Sequence, residues 1–139
     1  MGLIQGDGMT PQLSGDEIAL LRETQIAHLA TVNPDGTPQV TPIWVDTDGE
    51  CILFNTAKGR VKHRNILANP HVAVSVTDRN DPYRTCIAQG TVEFIEEGAE
   101  DHVDKLAKKY LGIDRYQRQT LGEQRIIGRI HLTRIVRRV

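Results

Sequence analysis

The sequence predicts a mainly β domain: six strands joined largely by hairpins, closed or nearly closed into a barrel, with three short helices. Three observations carry that expectation. "NPDG" (33–36) and "TDGE" (47–50) are hairpin turns, with Pro presetting φ in the first and Gly supplying positive φ in both. "HVAVSVT" (71–77) alternates valines with small or polar residues, the period of a half-buried strand. The helical signals are brief, one ahead of the strands and two between them.

Along the chain, Ser14 and Glu17 have capping-box spacing and start an amphipathic helix over 15–23. A strand follows over 26–32, then the first turn, then a returning strand over 37–46. The latter contains Pro38 and Pro42, which cannot donate to a ladder, so part of its edge must face something other than a strand. The third strand spans 51–56. "GRVKHRNILANP" reads as a short helix stopped at Asn69-Pro70. After the strand at 71–77 come a loop over 79–84 and a long strand over 85–96, with Gly90 as a bulge. Val103, Leu106, Ala107, Tyr110 and Leu111 fall at helical spacing within 98–112, acids early and lysines late. The last strand covers 125–136. Residues 1–10 read as a flexible Gly-rich leader, with Met9 a candidate native start, and 11–139 as one domain.

With 17 Lys+Arg against 18 Asp+Glu, the net charge of −1 argues against a nucleic-acid partner. No apolar run approaches the roughly 20 residues that span a bilayer, so no membrane partner is expected. Cys51 and Cys86 form no CxxC pattern and read as reduced, cytoplasmic thiols. The five histidines have no metal-ligand spacing, so no metal site is expected. No P-loop, GxGxxG or GxSxG is present. Asp46 and Asp48 read as turn residues, and the acids around Glu96 as a strand end and a helix start.

One stretch stands apart. "FNTAKGRVKHRN" (54–65) places Lys58, Arg60, Lys62, His63 and Arg64 within seven residues, and no acid occurs from Cys51 to Thr77. These cations follow a strand end and a Gly at a helix start. With the Thr56 hydroxyl they suit an anion. A solvated helix face is the alternative, and the lack of nearby acid favours a phosphate.

"LATVNPDGTPQVTPIW", "FNTAKGRVKHRN" and "AQGTVEF", in this order and spacing, resemble the pyridoxamine 5'-phosphate oxidase-like superfamily. The nearest likeness is to its flavin/deazaflavin oxidoreductases of group B. The resemblance implies a six-stranded split β-barrel of the FMN-binding type and a homodimer with a cofactor site at each subunit interface. It implies that Thr56, Arg60 and Lys62 hold the cofactor phosphate. The ring would lie along Gln39, Thr41, Pro42, Ile43 and Trp44. Asn55, Ala57 and Asn65 are adjacent, and Tyr83 would reach the partner's site.

Departures from the oxidase pattern weaken the case for FMN. Thr41 and Asp46 stand where the oxidases carry an Arg and a Lys for FMN, and Ile87 where they carry a substrate-phosphate arginine. Vitamin B6 oxidation is therefore not expected. The expected cofactor is coenzyme F420, with FMN as the alternative. Lys58, Arg64, Arg79 and Arg84 would track its anionic tail. The expected activity is F420H2-dependent reduction of a small unsaturated substrate; the alternatives are an FMN-dependent oxidoreductase or a non-catalytic carrier. No catalytic residue is assigned. Tyr83, His28 and His131 are proton-donor candidates, but each reads first as packing, and solvent could serve instead.

Overall fold

Ser14 and Glu17 form the capping box that their spacing predicts. The Glu17 N–H donates to Ser14 Oγ at 3.1 Å, and the Ser14 N–H donates to Glu17 Oε1 at 2.8 Å. They open α1 (Gly15–Arg22), which buries Leu20 and Leu21. The computed structural model describes residues 10–118 and 120–137, so the leader over 1–9 lies outside the described residues.

The elements after α1 are β1 (Ala27–Val32), β2 (Pro38–Ile43), β3 (Asp46–Thr47), β4 (Ile52–Ala57), α2 (Val61–Ala68), β5 (His71–Asp78), β6 (Asp81–Ile95), α3 (Ala99–Leu111) and β7 (Arg125–Val136). The strands form one antiparallel sheet in the order β2-β1-β5-β6-β7-β4-β3. It has seven strands, not the six expected. The arm read as one strand over 37–46 leaves the β1 ladder after Ile43, and Trp44 and Val45 carry it across to pair with β4.

That crossing shapes the molecule. β2 and β3 are the two edges of the sheet, yet only Trp44 and Val45 separate them. Three residue steps reach about 11 Å at most, so the sheet must curl until its edges nearly meet. No ladder joins these edges among the described residues; the barrel is split there. Pro38 and Pro42 lie on this edge strand, four residues apart and thus with their missing donors on one side.

The loop expected over 79–84 is a tight turn. Asp78 Oδ1 accepts from the Asn80 N–H at 2.8 Å, and pairing resumes at Asp81. The bulge read at Gly90 is present. Gln89 pairs with Arg134 and Gly90 with Leu132, leaving Thr133 of β7 unpaired. A Cβ on Gly90 would lie 2.3 Å from the His131 carbonyl oxygen, so only glycine allows this approach.

The sheet's inner face carries the core, with Phe54, Ile52, Val74, Val76, Ile130 and Ile135 almost wholly buried. α3 lies on β4 and β7 through Val103, Leu106 and Ala107, and its ends are marked by Gly98 and Gly112 in the left-handed region. The curl thus places the end of β2, the start of α2 and α3 around one opening.

Candidate functional site

That opening is a cleft of about 430 Å³, within the usual range for small-molecule sites. β2 and its crossing contribute Pro42, Ile43 and Trp44. β4 contributes Asn55, and the start of α2 contributes Arg60 and Lys62. Val103, Leu106 and Leu111 of α3 form an apolar wall, extended by Ile113 and Tyr116. Arg125, the first residue of β7, also lines it.

The aromatic part is pre-stacked. Trp44 lies against Tyr110 with centroids 5.3 Å apart and planes 12° from parallel, and Tyr116 meets it edge-on at 6.1 Å. The Tyr110 hydroxyl donates to the Gln25 carbonyl at 2.6 Å and accepts from the Val45 N–H at 3.1 Å. It thereby pins the crossing that carries Trp44.

The cationic part is reached through Gly59, whose φ of 90° turns the chain from β4 into α2. Arg60 is the N-cap residue of α2, with no side-chain cap and no acid in the first turn. Its guanidinium donates to Glu123 Oε2 at 3.1 Å. Arg125 donates through Nη1 to Glu123 Oε1 at 2.5 Å and through Nε to Asn55 Oδ1 at 2.8 Å. It also sits 4.8 Å from the centre of the Tyr116 ring. Lys62 has no ion-pair or side-chain hydrogen-bond partner among the described residues. Burial lowers its pKa, and Arg60 and Arg125 lower it further. A half-buried cation with two cationic neighbours and no counter-ion is an anion-binding arrangement.

Behind Asn55 lies a buried polar chain. The Asn55 amide donates to the Ala99 carbonyl and to His102 Nδ1, each at 3.0 Å. The acceptor role of Nδ1 puts the proton of the neutral ring on Nε2, which is buried without a partner among the described residues. Burial holds the His102 pKa below its usual value, Asp46 opposes this, and Lys105 and Arg125 add to it.

Of the residues singled out in the sequence, the structure brings Pro42, Ile43, Trp44, Asn55, Arg60 and Lys62 together. Thr56 is 1 % exposed and shares the core face of β4 with Phe54, opposite Asn55. Its hydroxyl has no partner among the described residues. Ala57 and Lys58 border a neighbouring hollow that shares Arg60, and Lys58 pairs with Glu96. Arg64 and Asn65 lie by the β1–β2 turn. The Asn65 amide is taken up by Thr31, Asn33 and Gln39 at 3.1, 2.9 and 3.3 Å. Thr41 pairs with Leu29 and does not line the cleft. Tyr83 is 94 % exposed near the β5–β6 turn, where Arg79 is bonded to Thr24 and Arg84 to Glu23 and Asp78. His28 and His131 do not line the cleft either. Sequence reasoning missed Arg125, Glu123 and Tyr116. The "GEQR" step was the one local signal of Glu123 and Arg125, a charged pair at the start of an apolar strand.

The family model described as pyridoxamine 5'-phosphate oxidase matches residues 16–135. Among solved structures, one named F420 reductase is 36% identical with a TM-score of 0.77, covering 91% of this chain and 99% of that one. HupZ of Group A Streptococcus is 25% identical with a TM-score of 0.64, covering 88% and 92%. A conserved hypothetical protein of Mycobacterium tuberculosis is 21% identical with a TM-score of 0.69, covering 94% and 87%, and bears on the fold alone.

Proposed function

The chain belongs to the pyridoxamine 5'-phosphate oxidase family, and on that footing we propose that it is an F420H2-dependent reductase of a small unsaturated substrate. The observation that carries this reading is the cation set of the cleft: Lys62 without a counter-ion, beside Arg60 and Arg125. A phosphodiester set against these three would restore the missing countercharge, with charge-assisted hydrogen bonds. The likeness to the structure named F420 reductase supports the choice of cofactor, as does the absence of the two strand cations implied for FMN at Thr41 and Asp46.

The chemistry supplied by the bound cofactor is two-electron hydride transfer. The chain's own residues bind and orient. Lys62, Arg60 and Arg125 hold the anionic end. Trp44, braced by Tyr110, offers a flat face for a ring. Val103, Leu106, Leu111 and Ile113 offer an apolar wall at the other end. Among the described residues Tyr116 is the one phenol lining the cleft.

The reading also carries a homodimer, with exposed Tyr83 reaching the partner's site; sedimentation of the full chain reports the mass directly. The activity test is oxidation of F420H2, followed by its absorbance, against a panel of enones and quinones. Turnover of any member is the expected result. Binding of F420H2 without oxidation by any of them would favour a carrier.

A further inference from the structure

Glu123 is the only carboxylate among the described residues that pairs with Arg60 and Arg125, two of the cleft's three cations. Its side chain is 3 % exposed and its two oxygens are divided between two elements. Oε2 accepts from Arg60 at the head of α2, at 3.1 Å, and Oε1 accepts from Arg125 at the head of β7, at 2.5 Å. Arg125 is held at two further points, Asn55 Oδ1 and the Tyr116 ring. Its Nη2 makes no hydrogen bond among the described residues, on a side chain that is 4 % exposed. That nitrogen is thus without a partner among the described residues, on a residue that lines the cleft.

By charge alone, a carboxylate here works against an anionic ligand. Its geometry gives it another role. We propose that Glu123 is the positioning residue of the anion site, one carboxylate fixing Arg60 and Arg125 relative to each other so that their unused N–H groups face the same ligand. This rests on the reading that the cleft takes a phosphate-bearing cofactor. Two guanidiniums released from Glu123 would repel each other and regain side-chain freedom, which the ligand would then have to remove.

The two roles predict opposite signs. Glu123→Gln keeps the shape and removes the negative charge, but its amide nitrogen faces one guanidinium as donor against donor. Glu123→Asp keeps the charge but is one methylene too short to reach both arginines. Binding of inorganic pyrophosphate and of F420 to the full chain is measured by calorimetry, beside thermal unfolding and the emission of Trp44, which Tyr116 links to Arg125. The expected result is about tenfold weaker pyrophosphate binding by Glu123→Gln despite its extra positive charge, as charge-assisted contacts are lost. Glu123→Asp should weaken binding at unchanged net charge, and both should shift Trp44 emission in the ligand-free protein. Equal or tighter binding by either folded variant, or lower stability with unchanged affinity, overturns the proposal. Where Glu123→Gln does not fold, Glu123→Asp decides. Wild-type protein that binds pyrophosphate but not F420 overturns the deazaflavin reading and leaves the Glu123 comparison standing; protein that binds neither overturns both.

Discussion

The cleft and the β5–β6 hairpin both carry cations, and the two regions use them in opposite ways. At the hairpin, Arg84 donates to both oxygens of Glu23, at 2.8 and 2.9 Å, and to Asp78 at 3.0 Å. The hydrogen bonds it donates to Glu23, then to Asp78, push its pKa up. At the cleft, Lys62 has no partner among the described residues, and burial together with Arg60 and Arg125 pushes its pKa down. The hairpin arginine braces α1 against β5 and β6. The cleft lysine holds charge in reserve. Countercharge, rather than the number of basic residues, separates a brace from a binding site.

The largest effect expected is on binding at the cleft. Lys62→Ala should weaken F420 binding by about 1.5–3 kcal/mol, the range for a hydrogen bond to a charged group. Stability at neutral pH should hold or rise, because a desolvated and repelled cation is removed. Unchanged binding with a loss of stability would instead make Lys62 a structural residue. Asn65→Ala, in the same basic stretch, should do the reverse. Losing an amide shared by Thr31, Asn33 and Gln39 should destabilise by about 1–3 kcal/mol in urea unfolding, with F420 binding unchanged.

The pH dependence separates the regions next. Burial holds the His102 pKa below the usual histidine value of 6.5. The unfolded chain therefore takes up this proton first as the pH falls. Stability is full above 6.5 and is lost as the pH drops from there through the folded value. His63 acts in the same direction, by burial and then by Lys58. Thermal unfolding midpoints should fall below about pH 6.5, and His102→Gln should flatten part of that fall. The smallest effect belongs to the hairpin. Arg84→Ala should leave cofactor binding unchanged and lower the unfolding midpoint slightly, since its ion pairs are partly solvated.

The turns, the capping box, the Gly90 bulge and the strand periods were legible because each is set by residues within a few positions of one another. The seventh strand was not. The crossing at Trp44 and Val45 depends on β4 offering an edge to Asp46 and Thr47, a pairing no local pattern encodes. The site divides in the same way. Arg60 and Lys62 were legible as an acid-free basic run at a helix start. Glu123, Arg125 and Tyr116 were not, since they follow Lys62 by more than 50 positions and meet it only when β7 pairs with β4. The alternation of β4 could have separated Asn55 from Thr56 in advance, because Thr56 must share a face with Phe54.

Trp44 is the only tryptophan of the chain and it lines the cleft, so its fluorescence reports on the site without a label. Titrated with F420, it should be quenched at low micromolar concentration in wild-type protein, with the curve shifted to weaker binding in Lys62→Ala. FMN should quench it much less. Tight FMN binding with no response to F420 would contradict the deazaflavin reading, and a Lys62→Ala curve that overlays the wild type would contradict the role given to its charge.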